Sequence, residues 1–364
     1  DYPPAVRNPP FTNISFSNFT LAQGPPIIST GIDPVNVPAG TSLFTVDREQ
    51  ENGLVHQFQL SMQYQFGRDY SIDVGYVGNR SKNLLATLQL GNGGQGIARN
   101  RAGELIGSVL LYSNLADSSY DGLQAQLQKR LSNNLQGQIS YTWSHTIDNA
   151  TGVFNGLGDS KNQGRQGPAN PFDLDFDRGN SVLDIRHLLS ASAIIDVPFG
   201  KGQRFINQAG ALDKLVSGFQ VNFIVSARSG FPYSVVCQCN LIRPSLVGDP
   251  FANLAPDRAL NPNAFSTSAG ITTVTNQAGQ TVSFGNLGRN TFRGPSIFNT
   301  DMSVFKNTAI TEGLRMQLGL EFFNVFNHTN LTVPNNNSND PGSFGRFDGA
   351  FPGRVIQYRA KFIF

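Results

Sequence analysis

Four histidines, two cysteines and one short acidic run are the side chains here best suited to act as bases, ligands or nucleophiles. His56, His145, His187 and His328 are scattered along the chain. None sits in an H-E-x-x-H pair, and there is no G-x-S-x-G turn to expose a serine nucleophile. Gly200-Lys201-Gly202 lacks the spaced first glycine and the following Ser or Thr of a phosphate-cradling loop, so it reads as a turn. No catalytic residue is assigned, and the chain is expected not to be an enzyme. Asp173, Asp175 and Asp177 alternate, with Gly179 beside them and Asp184 further on, and hard oxygen ligands so spaced suit calcium. The glycine falls one position late for an EF-hand loop and no glutamate closes it. A solvated acidic loop is therefore expected, with a loop calcium site as the alternative. Cys237 and Cys239 form one C-x-C, and two thiolates cannot complete a zinc site, which leaves a strained local disulfide or two free thiols.

With so little chemistry to position, the elements themselves become informative. Only 14% of residues are charged, against roughly 25% in ordinary soluble domains, while Gly (38) and Phe (28) are abundant and the polar load is mostly uncharged Gln, Asn, Ser and Thr. The formal charge of +2 comes with no basic run or basic-aromatic patch, which excludes a nucleic-acid surface. No segment reaches the roughly 20 apolar residues of a membrane helix. A membrane strand needs only about 10 residues of alternating character, so the mean hydropathy of −0.21 does not speak against a barrel.

That alternation is present. In 57–66, Phe58, Leu60, Met62, Tyr64 and Phe66 share one face, and Gln57, Gln59, Ser61, Gln63 and Gln65 the other. After Gly67-Arg68-Asp69 it resumes with Tyr70, Ile72, Val74 and Tyr76, giving a hairpin. A second hairpin joins 123–128 to 139–144 across Ser132-Asn133-Asn134; a third joins 189–197 to 219–227; a fourth joins 298–305 to 314–326. A ninth strand, 356–364, sets Ile356, Tyr358, Ala360, Phe362 and Phe364 against Gln357, Arg359, Lys361 and Ile363.

Between hairpins lie long segments rich in Gly, Asn, Ser and Pro, roughly 79–118, 149–180, 233–295 and 329–349, so short and long connections alternate strictly. A soluble sandwich would be joined mostly by short loops, whereas outer-membrane barrels have short periplasmic turns and long extracellular loops. Rings flank the short turns (Phe66, Tyr70, Phe199, Phe205) or sit toward the other strand end (Tyr141, Trp143), as interfacial girdles require. The expected fold is all-β: the C-terminal part of an antiparallel up-and-down transmembrane barrel, about nine to ten strands of a larger one. Single-chain barrels have even strand numbers and periplasmic termini, so an odd count entering from outside implies sequence upstream of Asp1. Residues 1–52 are then mostly extracellular loop, with weak strand patterns at 14–19 and 42–46; residues 53–364 carry the barrel strands.

Several segments resemble the barrel portion of TonB-dependent outer-membrane receptors, in particular the Oar-like group with a carboxypeptidase-regulatory domain. They are Tyr120-Asp121-Gly122-Leu123-Gln124 running to Tyr141-Thr142-Trp143-Ser144-His145, then Asp184-Ile185-Arg186-His187 and Pro198-Phe199-Gly200-Lys201-Gly202. The 299–307 and 321–328 segments and the last strand continue the series. The resemblance implies a barrel of roughly 22 strands or more with a plugged lumen, of which this chain would supply somewhat under half. It also implies uptake of an extracellular ligand driven by the TonB complex, through a plug that this chain does not carry. Arg228, Arg315, Glu321, Arg359 and Lys361 fall on strand faces opposite the apolar ones, since a charge facing lipid at mid-depth costs about 2–4 kcal/mol. They are expected in the lumen, where plug docking and hydration are the plain roles and ligand contact the sharper one. Tyr358, Phe362 and Phe364 resemble a signal read by the barrel-assembly machinery. The expected partners are thus outer-membrane lipid, that machinery, the upstream half with its plug, TonB through the plug, and an unidentified ligand. A non-transporting adhesion or surface barrel is the alternative function, and a passive porin a third.

Overall fold

The structure is a computed structural model, and it describes residues 43–91, 102–104, 108–150, 170, 173–207, 210–237, 243–275 and 281–364. Nine strands form one antiparallel meander: β1 (Leu54–Phe66), β2 (Tyr70–Gly91), β3 (Ser108–Ser132), β4 (Leu135–Asp148), β5 (His187–Asp196), β6 (Phe219–Arg228), β7 (Ile297–Ala309), β8 (Arg315–Phe323) and β9 (Val355–Ile363). Each pairs with its neighbour in sequence. Apart from a bulge on β2 and one at the β3–β4 turn, the pairing registers carry the period-two pattern across the sheet. One apolar row runs Met62, Val74, Ala125, Tyr141, Leu189, Ala227, Phe298 from β1 to β7. A one-residue shift anywhere would have moved a strand's apolar set to the other face.

Local chemistry places the short turns. Asn133 and Asn134 both have positive φ, at 49° and 64°, as a two-residue hairpin turn with the native strand twist demands. Gly67 at φ 60° opens the β1–β2 turn. The β5–β6 connection is longer and holds the helix α1 (Ala211–Val216), while Phe199 and Phe205 meet edge to face with centroids 6.0 Å apart.

The structure corrects two expectations. Much of 79–118 was expected to be loop, yet β2 continues to Gly91 and β3 begins at Ser108, with a bulge between Ser81 and Leu85. At about 3.3 Å per residue, the 22 residues of β2 extend roughly 70 Å, against an apolar band about 25 Å tall. Even with tilt, about half of this hairpin projects beyond that band. Leu43–Val46, on the weak 42–46 pattern, is a strand that pairs in parallel with 109–112 on this projection; the 14–19 pattern lies outside the described residues. The second correction concerns the long connections, which are not structureless. Tyr233, Val235, Leu260, Leu287, Phe292 and Phe344 make a buried apolar cluster drawn wholly from 229–296 and 324–354.

The sheet's apolar face has no such cover. Leu60, Met62 and Tyr64 are 77%, 73% and 63% exposed, and Tyr358 is 82% exposed. In water so large an apolar surface would be a severe liability; against lipid it is the required one. Among the described residues, β1 and β9 each pair on one side only, and both point the same way because eight antiparallel steps separate them.

Candidate functional site

Two regions collect the polar side chains: the polar face of the sheet and the connections at its long-loop end. On the polar face, rows such as Gln63, Asp73, Gln126, Ser140 and Ser190 run across strands in register. Glu321 and Arg359, both expected on this face, come together with Arg359 Nη1 3.5 Å from Glu321 Oε1 and Nη2 donating to Gln317 Oε1 at 3.0 Å. Gly319 lies directly between Phe305 and Arg359 in register. A Cβ there would stand 2.6 Å from the Phe305 ring, so the missing side chain lets that ring lie flat on the wall. The Arg359 guanidinium then sits 5.2 Å from the ring centroid. Phe305 is thus an aromatic on the polar face, held by a glycine and capped by a cation.

The other expected residues stay apart. Arg315 pairs with Ala309 and Ile363 at the short-turn end and is exposed. Arg228 lies at the long-loop end of β6, its guanidinium 4.2 Å from the Phe231 ring centroid and its Nη1 buried without a hydrogen-bond partner. Tyr358, Phe362 and Phe364 are exposed along β9 and at its end.

The acidic run departs from a solvated loop at one residue, Asp177, while Asp173 and Asp175 are exposed. Asp173 caps a single 3-10 turn, Leu174–Asp177, by accepting from Asp175 N–H at 3.1 Å, and Asp175 is exposed. Asp177, however, is buried and receives Arg243 Nη1 at 2.6 Å. With its carboxylate committed to a buried guanidinium, Asp177 is neither solvated nor free for calcium. Among the described residues, no three acidic, histidine or cysteine groups converge as a metal site. Cys237 is disulfide-bonded, which selects the disulfide over free thiols.

Arg243 belongs to a network that sequence reasoning missed. Asp148, the last residue of β4, pairs with Arg289, and Arg289 Nε also donates to Asp177 O at 2.8 Å. Asp184 is fully buried, accepting Thr146 N–H at 2.6 Å, Arg186 Nε at 3.1 Å and Arg293 Nη2. Burial alone would raise the Asp184 carboxyl, but the Thr146 amide and the two guanidinia outweigh it and hold it below the usual carboxylate range. Asn290 Nδ2 donates to Asn180 O at 2.7 Å, and Asn180 Nδ2 returns to Asn290 O at 3.1 Å. Asn336 Nδ2 reaches Ser234 O at 2.7 Å, and Arg258 holds the carbonyls of Phe344, Pro341 and Gly342. The described parts of these connections, 173–186, 229–237, 243–275, 281–296 and 324–354, are therefore tied into a cap with its own core. The usable signal was scarcity: in a chain this poor in charge, each loop arginine deserved a carboxylate partner. Two of the histidines make side-chain hydrogen bonds, His145 to Asn180 at 3.0 Å and His187 to Tyr141 Oη at 2.8 Å.

A continuous apolar outer face, a polar inner face and a cap over the long-loop end describe a membrane barrel wall. The family model for the outer membrane beta barrel domain matches residues 2–357. The chain belongs to that family. Its place is accordingly the bacterial outer membrane, where a barrel strand turns its apolar face to lipid. No curated protein sequence matches it. Several solved structures are similar to it in part. They include the outer-membrane transporter YddB from Escherichia coli (9% identity, 90% of this chain and 34% of that one, TM-score 0.47). The FrpB iron transporter from Neisseria meningitidis is similar at 9% identity, covering 89% of this chain and 32% of that one, TM-score 0.40. The pyoverdine receptor FpvA from Pseudomonas aeruginosa, bound to pyoverdine, aligns at 12% identity over 85% of this chain and 30% of that one, TM-score 0.39. The chain thus spans about a third of each of these proteins.

Proposed function

We propose that this chain forms part of the wall and extracellular cap of a TonB-dependent receptor that imports a scarce extracellular ligand. The observation that carries this is the cap. Buried ion pairs and an aromatic core tie together the described parts of three long connections at one end of a polar wall, which is the preorganisation a capture surface needs and a merely passive pore does not. Phe251, 61% exposed at the edge of this core, offers an apolar contact to such a ligand. The wall is compatible with a plug: Gln and Ser rows, the Glu321–Arg359 pair and the ring of Phe305 supply donors, acceptors and one flat apolar step. Because β1 and β9 run in the same direction, an antiparallel closure takes an odd number of further strands between them. Those strands, the plug and the TonB contact belong to the proposal. The alternative, a non-transporting surface barrel, draws on the β2–β3 projection, which presents a long exposed hairpin to other macromolecules.

The test is electrical. The full gene product in planar bilayers, as a plugged receptor, passes no steady current until denaturant or force displaces the plug. Steady ohmic conductance in the native state would establish an open pore and refute the proposal. Uptake in cells that is abolished by a proton uncoupler separates the receptor from the adhesion barrel.

A further inference from the structure

The lipid-facing wall is not uniformly ridged. Across β4 and β5 its outward residues shrink to Gly137, Ala191 and Ala193, which floor a groove of about 370 Å³. Ile139, opposite Ala191, and Phe223, opposite Ala193, also line it. That volume lies within the roughly 300–1,000 Å³ of sites that hold small molecules. Tyr70 and Lys129 stand at the mouth, at the short-turn end of β2 and β3. Of the two cations that the apolar face carries toward that end, Lys129 and Lys306, only Lys129 lines the groove.

Lys129 is held there. Its Nζ donates to Ser132 O at 3.0 Å, Ser132 Oγ at 2.7 Å and Leu135 O at 3.0 Å, and it lies 5.4 Å from the Tyr70 ring centroid. No described carboxylate forms an ion pair with it, so its charge is fixed in position and uncompensated at headgroup depth.

We infer that this groove is a binding site for an anionic phospholipid of the periplasmic leaflet, one acyl chain lying over Gly137, Ala191 and Ala193 and the phosphate near Lys129. Two observations select this occupant. The groove opens on the face that lipid covers, so hydrocarbon is what reaches it, and the one charge at its mouth is positive. The site stands on the membrane wall alone, independent of what the barrel transports.

The experiment uses the full protein extracted from outer membranes in mild detergent, washed, and offered phosphatidylglycerol or phosphatidylethanolamine in mixed micelles. Retained lipid is counted by native mass spectrometry, with folding checked by heat-dependent gel mobility. Wild type is expected to retain phosphatidylglycerol over phosphatidylethanolamine by about fivefold, the factor one interfacial lysine supplies. Lys129→Gln should abolish the preference and Lys129→Arg restore it. Ala193→Leu, which fills the floor, should lose both lipids, while Ala125→Leu elsewhere on the same face leaves retention unchanged. Equal retention of the two lipids by wild type, or equal loss in the two leucine variants, would overturn the site. If Ala193→Leu does not fold, the Lys129 pair decides alone.

Discussion

Asp177→Ala is the sharpest probe of the extracellular cap. It strips Arg243 of its carboxylate in a place where water does not replace it, since the two side chains are only 6% and 2% exposed. Of the Arg243 donors, Nε keeps Leu287 O at 2.9 Å and the Phe176 ring stays 5.1 Å away, but Nη2 already has no partner. Breaking a buried pair by removing one member costs about 3–5 kcal/mol. Local opening of the cap should therefore rise by roughly two to nearly four orders of magnitude. Hydrogen exchange on the folded protein reads this directly: amides in 243–247 and 284–292 should lose protection, while β3, β4 and β5 keep theirs. The double variant Asp177→Ala with Arg243→Met removes both charges, and replacing a buried pair with apolar groups is close to neutral. It should recover most of the protection. Unchanged exchange in the single variant, or a double variant no better than it, would refute the view that this pair locks two connections together.

Three further outcomes follow from the same geometry. Asp184 has a depressed pKa in the folded protein, so its contribution is complete above the unfolded value and is lost as pH falls through the folded one. Protease cutting of the cap on intact cells should increase only in acid below the usual carboxylate range, and Asp184→Asn should raise cutting already at neutral pH and flatten the acid dependence. Gly319→Leu should drive the Phe305 ring off the wall and free Arg359 while leaving the sheet intact. Phe305 protons in the NMR spectrum should lose their ring-cation shift, and an unmoved ring would contradict the packing. Ala125→Lys faces lipid near mid-strand and should destabilise refolding into vesicles by about 2–4 kcal/mol, whereas Gln126→Lys on the lumen face should cost little. A larger cost for Gln126→Lys than for Ala125→Lys in urea titrations would mean that the two faces have been assigned the wrong way round.

The period-two rows, the turn at Asn133 and Asn134 and the alternation of short with long connections were legible because each depends on neighbours only a few residues away. Side-chain direction flips at every strand residue, and a membrane wall must be apolar on one side throughout, so nine strands and their faces could be read by inspection. Even the Glu321–Arg359 pairing was half visible, since both residues fall on the polar side of strands that become neighbours. Two things were not. Beyond the apolar band neither face of a strand needs to be apolar, so the outer halves of β2 and β3 lost the alternation that marked their inner halves and passed for loop. The cap was invisible for a different reason. Asp177 and Arg243 lie 66 residues apart, and Asp148 and Arg289 lie 141 apart, in segments whose composition is that of any polar loop. Nothing periodic links such partners. Only the folded chain, by bringing the strand ends into one rim, decides which aspartate meets which arginine, and so buries Asp177 in a clamp while its neighbours Asp173 and Asp175 stay exposed.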